Sequence, residues 1–280
     1  MCRWMAYSGS PVLIEDLLYT TENSLIVQSL HAQLGVEPTN GDGFGVGWYD
    51  DRPTPGRYRS TEPAWNDVNL REVAGHIRST MVLAHVRAST GTPVQLTNCH
   101  PFRRGRWLWM HNGALAGFHA MKRDLALAVA PELFPDIEGS TDSELFFYLA
   151  LTSGLEHDPI AAVARAVALI EEAGRRNGEM FPMQMTVATT DGESFYGFRY
   201  SSEGRSRSLF HSADVSTLRA QYPDNPMLRE LSDDARLVVS EPLGGLRGAW
   251  LEVPESTCVV IRGDHQELVP FAPATLQPTV

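Results

Sequence analysis

The feature that most restricts the fold is a block of helical sequence set between two blocks of strand-like sequence. Ala114 to Val129, Asp142 to Thr152 and Pro159 to Arg176 carry the helical patterning. The last opens with Asp158 at the N-cap position and Pro159 at the first helical position, a well-matched start. Ahead of the block, Arg3 to Tyr7, Phe44 to Tyr49, Tyr58 to Thr61, Met81 to Ala88 and Trp107 to His111 read as strands. Leu13 to Leu18 and Asn69 to Ser79 read as helices, and Asn112-Gly113 as a turn closing its strand. Behind the block, Gln184 to Thr190 and Ser194 to Tyr200 flank the hairpin signal Asp191-Gly192, and Leu237 to Ser240 and Cys258 to Arg262 follow as further strands. Strands, helices and strands again predict a layered α+β domain.

The 280 residues fit one domain, expected over 2–270, with 271–280 as a Pro-rich, loosely packed tail. The net charge of −11 argues against a nucleic-acid partner and against an anionic membrane surface. No apolar run reaches the 18 or so residues of a membrane span, and the first residues lack the apolar core of a signal peptide. Cysteines at 2, 99 and 258 give an odd count, wide spacing and no CxxC pair. A reducing, cytoplasmic location is therefore expected, with no disulfide framework, no metal and no cofactor.

Cys2 follows the initiator methionine. Removal of Met1 would place a free α-amine on the same residue as the thiol. With a pKa of about 7.7–8.0 that amine is a usable base at neutral pH, so the residue could activate itself. Alone, a cysteine at position 2 reads better as accidental. Its company matters more. Asp42-Gly43-Phe44-Gly45-Val46-Gly47 is a glycine-rich approach to a strand, without the Gly-Lys-Ser/Thr ending of a phosphate loop. Arg87 ends a buried strand and could clamp a carboxylate, or could make a surface ion pair. Asn112 and the Gly113 N–H could form an oxyanion hole, or only a turn. Asp142 could meet an ammonium group, while Ser140 or Thr141 caps its helix and Glu144 sits in the first turn. His85 and His100 read more simply as structural.

Taken together, Met-Cys2, Asp42-Gly-Phe-Gly, His85-x-Arg87 with Thr90-Gly91, His100-Pro101, His111-Asn112-Gly113 and Thr141-Asp142-Ser143-Glu144 resemble the class II glutamine amidotransferases. These belong to the N-terminal nucleophile hydrolases. The matching segments keep the family's order over residues 2–150. The opening Met-Cys-Arg-Trp-Met-Ala-Tyr-Ser-Gly is similar to the stand-alone branch that includes the γ-glutamyl hydrolase of ergothioneine biosynthesis. The resemblance implies a four-layer αββα sandwich. It implies Cys2 as nucleophile with its α-amine as base, and Asn112 and Gly113 at the oxyanion. It also implies Arg87 and Asp142 on the substrate α-groups, with Thr90 beside them. The implied substrate is glutamine or another γ-glutamyl small molecule, cleaved through a glutamyl thioester. Ala88 stands where many synthase-linked members carry tryptophan, and Ser89-Thr90-Gly91 lacks their histidine.

Hydrolysis by the chain alone is the expected activity, because the 130 residues beyond the motif region are needed for the second strand layer. The alternatives are a glutaminase subunit feeding ammonia to a separate synthase, a binding protein without turnover, and another N-terminal-cysteine acylase. The last gives Arg87 and Asp142 no purpose. Oligomeric state is left open.

Overall fold

The structure, a computed structural model, describes residues 2–34, 39–89, 91–225, 228–229 and 231–275. Strands and helices are numbered along the chain. One antiparallel sheet has seven strands. Its spatial order is β11 (Trp250–Glu252), β9 (Phe210–Ser212), β10 (Arg236–Val239), β1 (Arg3–Leu13), β4 (Arg78–Val86), β2 (Phe44–Trp48) and β3 (Gly56–Ser60). The other has six, in the order β13 (His265–Pro270), β12 (Thr257–Arg262), β8 (Ser194–Ser201), β7 (Met183–Thr190), β6 (Trp107–Leu115) and β5 (Phe102–Arg104).

Side-chain alternation along the strands builds three apolar layers. On β1, Trp4 and Ala6 face the second sheet, joining Met81 and Leu83 of β4 and Leu108 and Met110 of β6. The intervening Met5 and Tyr7 face outward with Val82, Ala84 and Val86. They pack there on Ile14, Leu17 and Leu18 of α1 (Ile14–Tyr19), Leu25 of α2 (Leu25–Leu30) and Leu70 and Ala74 of α3 (Val68–Ala74). The outer face of the six-stranded sheet, with Trp107, Trp109 and Val187, packs on α4 (Phe118–Leu127), α5 (Asp142–Thr152) and α6 (Pro159–Arg176). The result is the αββα sandwich expected. Trp4 ties the two sheets directly, its Nε1 donating to Thr186 Oγ1 at 3.1 Å.

The helices α5 and α6 begin and end where the sequence predicts. Two expectations fail. The helix expected over 69–79 stops at Ala74, and Arg78 and Ser79 already belong to β4, where they pair with Leu13 and Val12. Asn112-Gly113 is not a turn. β6 runs through to Leu115 because Gly113 pairs with Met185, Ala114 with Gln184 and Leu115 with Met183. A turn at Ala116 and Gly117, the glycine with a φ of 67°, follows the strand, and α4 starts at Phe118 instead of Ala114. The C-terminal stretch is also tighter than expected up to 275. Phe271 is buried against Phe198 and Tyr200, and Ala274 N donates to Ala164 O at 3.0 Å.

Candidate active site at the mouth of the sandwich

Strand parity gathers the candidates. Cys2 precedes β1 on the same face as Trp4, Asn112 shares a face with Leu108 and Met110, and Arg87 continues the face of Met81 and Leu83. All three therefore aim between the sheets, at one end of the sandwich.

Cys2 is half-buried. Its Sγ lies against the backbone of Ala88, 3.4 Å from the N–H and 3.5 Å from the carbonyl oxygen. Its own carbonyl oxygen accepts from Asn112 Nδ2 at 2.7 Å and from Arg3 Nη1 at 3.1 Å. Burial pushes the thiol above its ordinary pKa, while the Ala88 backbone and Arg87 pull it down and Asp142 raises it. The surroundings alone therefore favour the thiol over the thiolate.

Asn112 carries two N–H groups, and only one is used on Cys2. Gly113 admits no side chain, since a Cβ there would collide with the carbonyl oxygen of Gln184. His111, one position earlier, faces the opposite way. Its ring hydrogen-bonds Ser143 Oγ at 2.8 Å, which fixes β6 against the start of α5.

Arg87 is no surface ion-pair residue. It is 3% exposed. Its guanidinium donates to Thr92 Oγ1 at 2.6 Å, Ser89 Oγ at 3.1 Å, and the carbonyls of Pro93 and Asp42 at 3.3 Å. Among the described residues no carboxylate lies within ion-pair distance of it. Asp42 instead receives Ser89 N at 2.7 Å, which shapes the 87–89 turn. Asp142, the first residue of α5, accepts from Leu115 N at 2.9 Å and Ser143 N at 2.7 Å. Thr141 caps that helix, taking Glu144 N at 3.2 Å. Thr90 lies outside the described residues.

The glycine-rich approach admits the second sheet. A Cβ at Gly45 would meet the carbonyl oxygen of His100, and one at Gly47 the side chain of Leu108. This closeness lets His100 stack on His85, ring centroids 4.2 Å apart. Burial holds His85 down to about pKa 3 and His100 well below its ordinary value, so both are neutral and structural. No group of three or more His, Cys, Asp or Glu among the described residues is arranged to hold a metal ion.

Sequence reasoning missed one supporting element. Glu241 is fully buried and accepts from Arg3 Nε at 3.0 Å, Asn23 Nδ2 at 3.2 Å, Gln33 N at 2.9 Å and Leu34 N at 3.0 Å. It holds the arginine that in turn holds the Cys2 carbonyl. Arg3 beside Cys2 was the one available sign, and its partner lies 238 positions away.

Comparison with known proteins shows the family. Residues 18–204 match the family model for "Glutamine amidotransferases class-II". A Saccharomyces cerevisiae protein described as "Probable glutamine amidotransferase DUG3" is 33% identical, over 94% of this chain and 82% of its own length. The γ-glutamyl-hercynylcysteine sulfoxide hydrolase of Mycolicibacterium smegmatis is 30% identical, over 97% of this chain and 100% of its own length. A solved Silicibacter pomeroyi structure described as "glutamine aminotransferase class-II domain protein" superposes with a TM-score of 0.75 at 36% identity, covering 98% of this chain and all of that one. The glutamine phosphoribosylpyrophosphate amidotransferase of B. subtilis shares the fold alone, with a TM-score of 0.62 at 16% identity over 49% of its length. The chain is a member of the class II glutamine amidotransferases.

Proposed function

We propose that the chain hydrolyses a γ-glutamyl amide on its own, through a glutamyl thioester on Cys2. The observation that carries this reading is the buried guanidinium of Arg87. It has hydroxyl and carbonyl partners only among the described residues, and it adjoins the Ala88 backbone on which the thiol rests. A buried cation held in this way is prepared for a carboxylate from outside.

In the proposed mechanism Met1 is removed and the α-amine of Cys2 takes the thiol proton. The thiolate attacks the γ-carbonyl carbon. The second N–H of Asn112 and the N–H of Gly113 receive the oxyanion. The C–N bond breaks as the α-ammonium of Cys2 passes that proton to the leaving nitrogen. Water, giving a proton to the freed α-amine, then cleaves the thioester to glutamate, and the proton returns to the thiolate of Cys2. Arg87 holds the α-carboxylate, with Thr90 beside it, and Asp142 holds the α-ammonium. The match to a γ-glutamyl-hercynylcysteine sulfoxide hydrolase over that protein's full length supports hydrolysis as the reaction. A cytoplasmic location fits this chemistry and the free thiols.

The test is glutamate release from glutamine, γ-glutamyl anilide and a γ-glutamyl thioether dipeptide by the processed protein with nothing added. Release from at least one is expected, with Cys2 alone labelled by a diazo-ketone norleucine. No glutamate from any of the three, with Met1 shown to be gone, favours a subunit that works only beside a synthase.

A further inference from the structure

The edge strands β3 and β5 lie on the same side of the sandwich, one from each sheet. Between them opens a cleft of about 430 Å³, closed over by the 135–138 segment and by Tyr148 of α5. None of Cys2, Arg87, Asn112 or Asp142 lines it. Four arginines do: Arg57 and Arg59 from β3, Arg103 and Arg104 from β5.

Their partners are unequal. Arg104 Nε meets Asp136 Oδ2 at 3.0 Å. Arg59 has only a distant carboxylate, Glu138 at 4.0 Å, and donates to Cys99 O at 3.2 Å. The third carboxylate on the wall, Glu144, is occupied by the backbone N–H groups of Glu138 and Gly139 at 3.0 and 2.6 Å. Arg57 and Arg103 donate to the carbonyls of Pro101 at 3.2 Å and Pro55 at 2.9 Å, and neither has a carboxylate within 4.0 Å among the described residues. Burial, with Arg59 and Arg103 as like charges, pulls the Arg57 guanidinium down to about pKa 10. An anion between the two strands would relieve that repulsion.

We propose that this cleft is a binding site for a small molecule carrying a phosphate group. Two guanidiniums without carboxylates approach from separate strands. A carboxylate brings a single negative charge between the two guanidiniums, whereas a phosphate group brings about −1.5 to −2 and three oxygens that can meet both forks. The rings of Phe102 and Tyr148 line the same cleft and offer an apolar wall to the rest of the ligand. The volume falls within the range of small-molecule sites, about 300–1,000 Å³.

Calorimetric titration of the full chain with inorganic phosphate, pyrophosphate, glucose 6-phosphate and citrate tests the assignment. Saturable binding of at least one phosphate compound is expected, tighter than citrate. Arg57→Gln and Arg103→Gln should each weaken it about tenfold or more, the loss expected of a charge-assisted hydrogen bond. Arg175→Gln, on the exposed face of α6, should leave it unchanged. Arg103 is itself exposed, so its variant keeps the fold even where the Arg57 variant does not. No saturable binding of any phosphate compound, citrate binding as tightly, or undiminished binding in the Arg103 variant each overturns the proposal.

Discussion

The side-chain amide of Asn112 donates a 2.7 Å hydrogen bond to the carbonyl oxygen of Cys2. One side chain thus positions the backbone of the proposed nucleophile and has a second N–H to offer. Asn112→Ala should lower kcat by about 10²–10³ with a smaller change in KM, the cost of losing one oxyanion donor. Steady-state glutamate release measures it, and a loss below about threefold would leave Asn112 a scaffold residue only.

Substitutions at the proposed α-group clamp should act on KM. Arg87→Lys replaces a fork anchored by Ser89 and Thr92 with a point charge, and Asp142→Asn removes the charge facing the ammonium. These contacts persist from ground state to transition state, so KM should rise while kcat changes little. An unchanged KM for glutamine in either variant would remove that residue from the substrate.

Maturation is open to mass spectrometry. The active protein should lack Met1 and carry a free amine on Cys2. An extra, uncleavable N-terminal residue should abolish turnover while the fold, read by its thermal transition, survives. Full turnover with the amine blocked would assign the base elsewhere.

Glu241→Ala should destabilise the chain by about 3–5 kcal/mol, the cost of breaking a buried ion pair from one side. The variant removes the Glu241 carboxylate from Arg3 and also frees the backbone at Gln33 and Leu34. Denaturant titration gives the number, and a loss under about 1 kcal/mol would make the pair incidental.

The stacked histidines set an acid limit. Both are held far below the ordinary imidazole value by burial, so the unfolded chain binds protons that the folded chain refuses. Their stabilising share is complete above about pH 6.5. For His85 it is lost as pH falls from there toward about 3. Each should contribute a slope of about 1.4 kcal/mol per pH unit within its window. His85→Phe should flatten the decline, and an unchanged pH profile of the melting temperature would contradict this.

The candidate residues were legible in the sequence where residue type sufficed. A cysteine at position 2, an arginine ending a strand and an acid opening a helix are local features; the structure brings Cys2 and Arg87 to one mouth and sets Asp142 near enough to act on the Cys2 thiol. The local environment of Asn112-Gly113 was misread, because the pair has the composition of a turn and nothing nearby reveals that Gln184 and Met185 continue the ladder. The glycine is required there by a neighbouring carbonyl, not by a positive φ. Arg3 with Glu241, and Arg57 opposite Arg103, join positions far apart in the chain, and no periodicity reports such pairs. The short helix α2 gives six residues of pattern, too few to separate it from loop.

β1 lies between β4 and β10, and Met5 pairs with Val239. The strand that follows Cys2 therefore gains its two neighbours at widely separated stages of synthesis: β4 early, and β10 only after the helices α4, α5 and α6 of the opposite face have been made. Until then that half of the sheet has one open edge, and its ladder is closed by a segment distant in the chain.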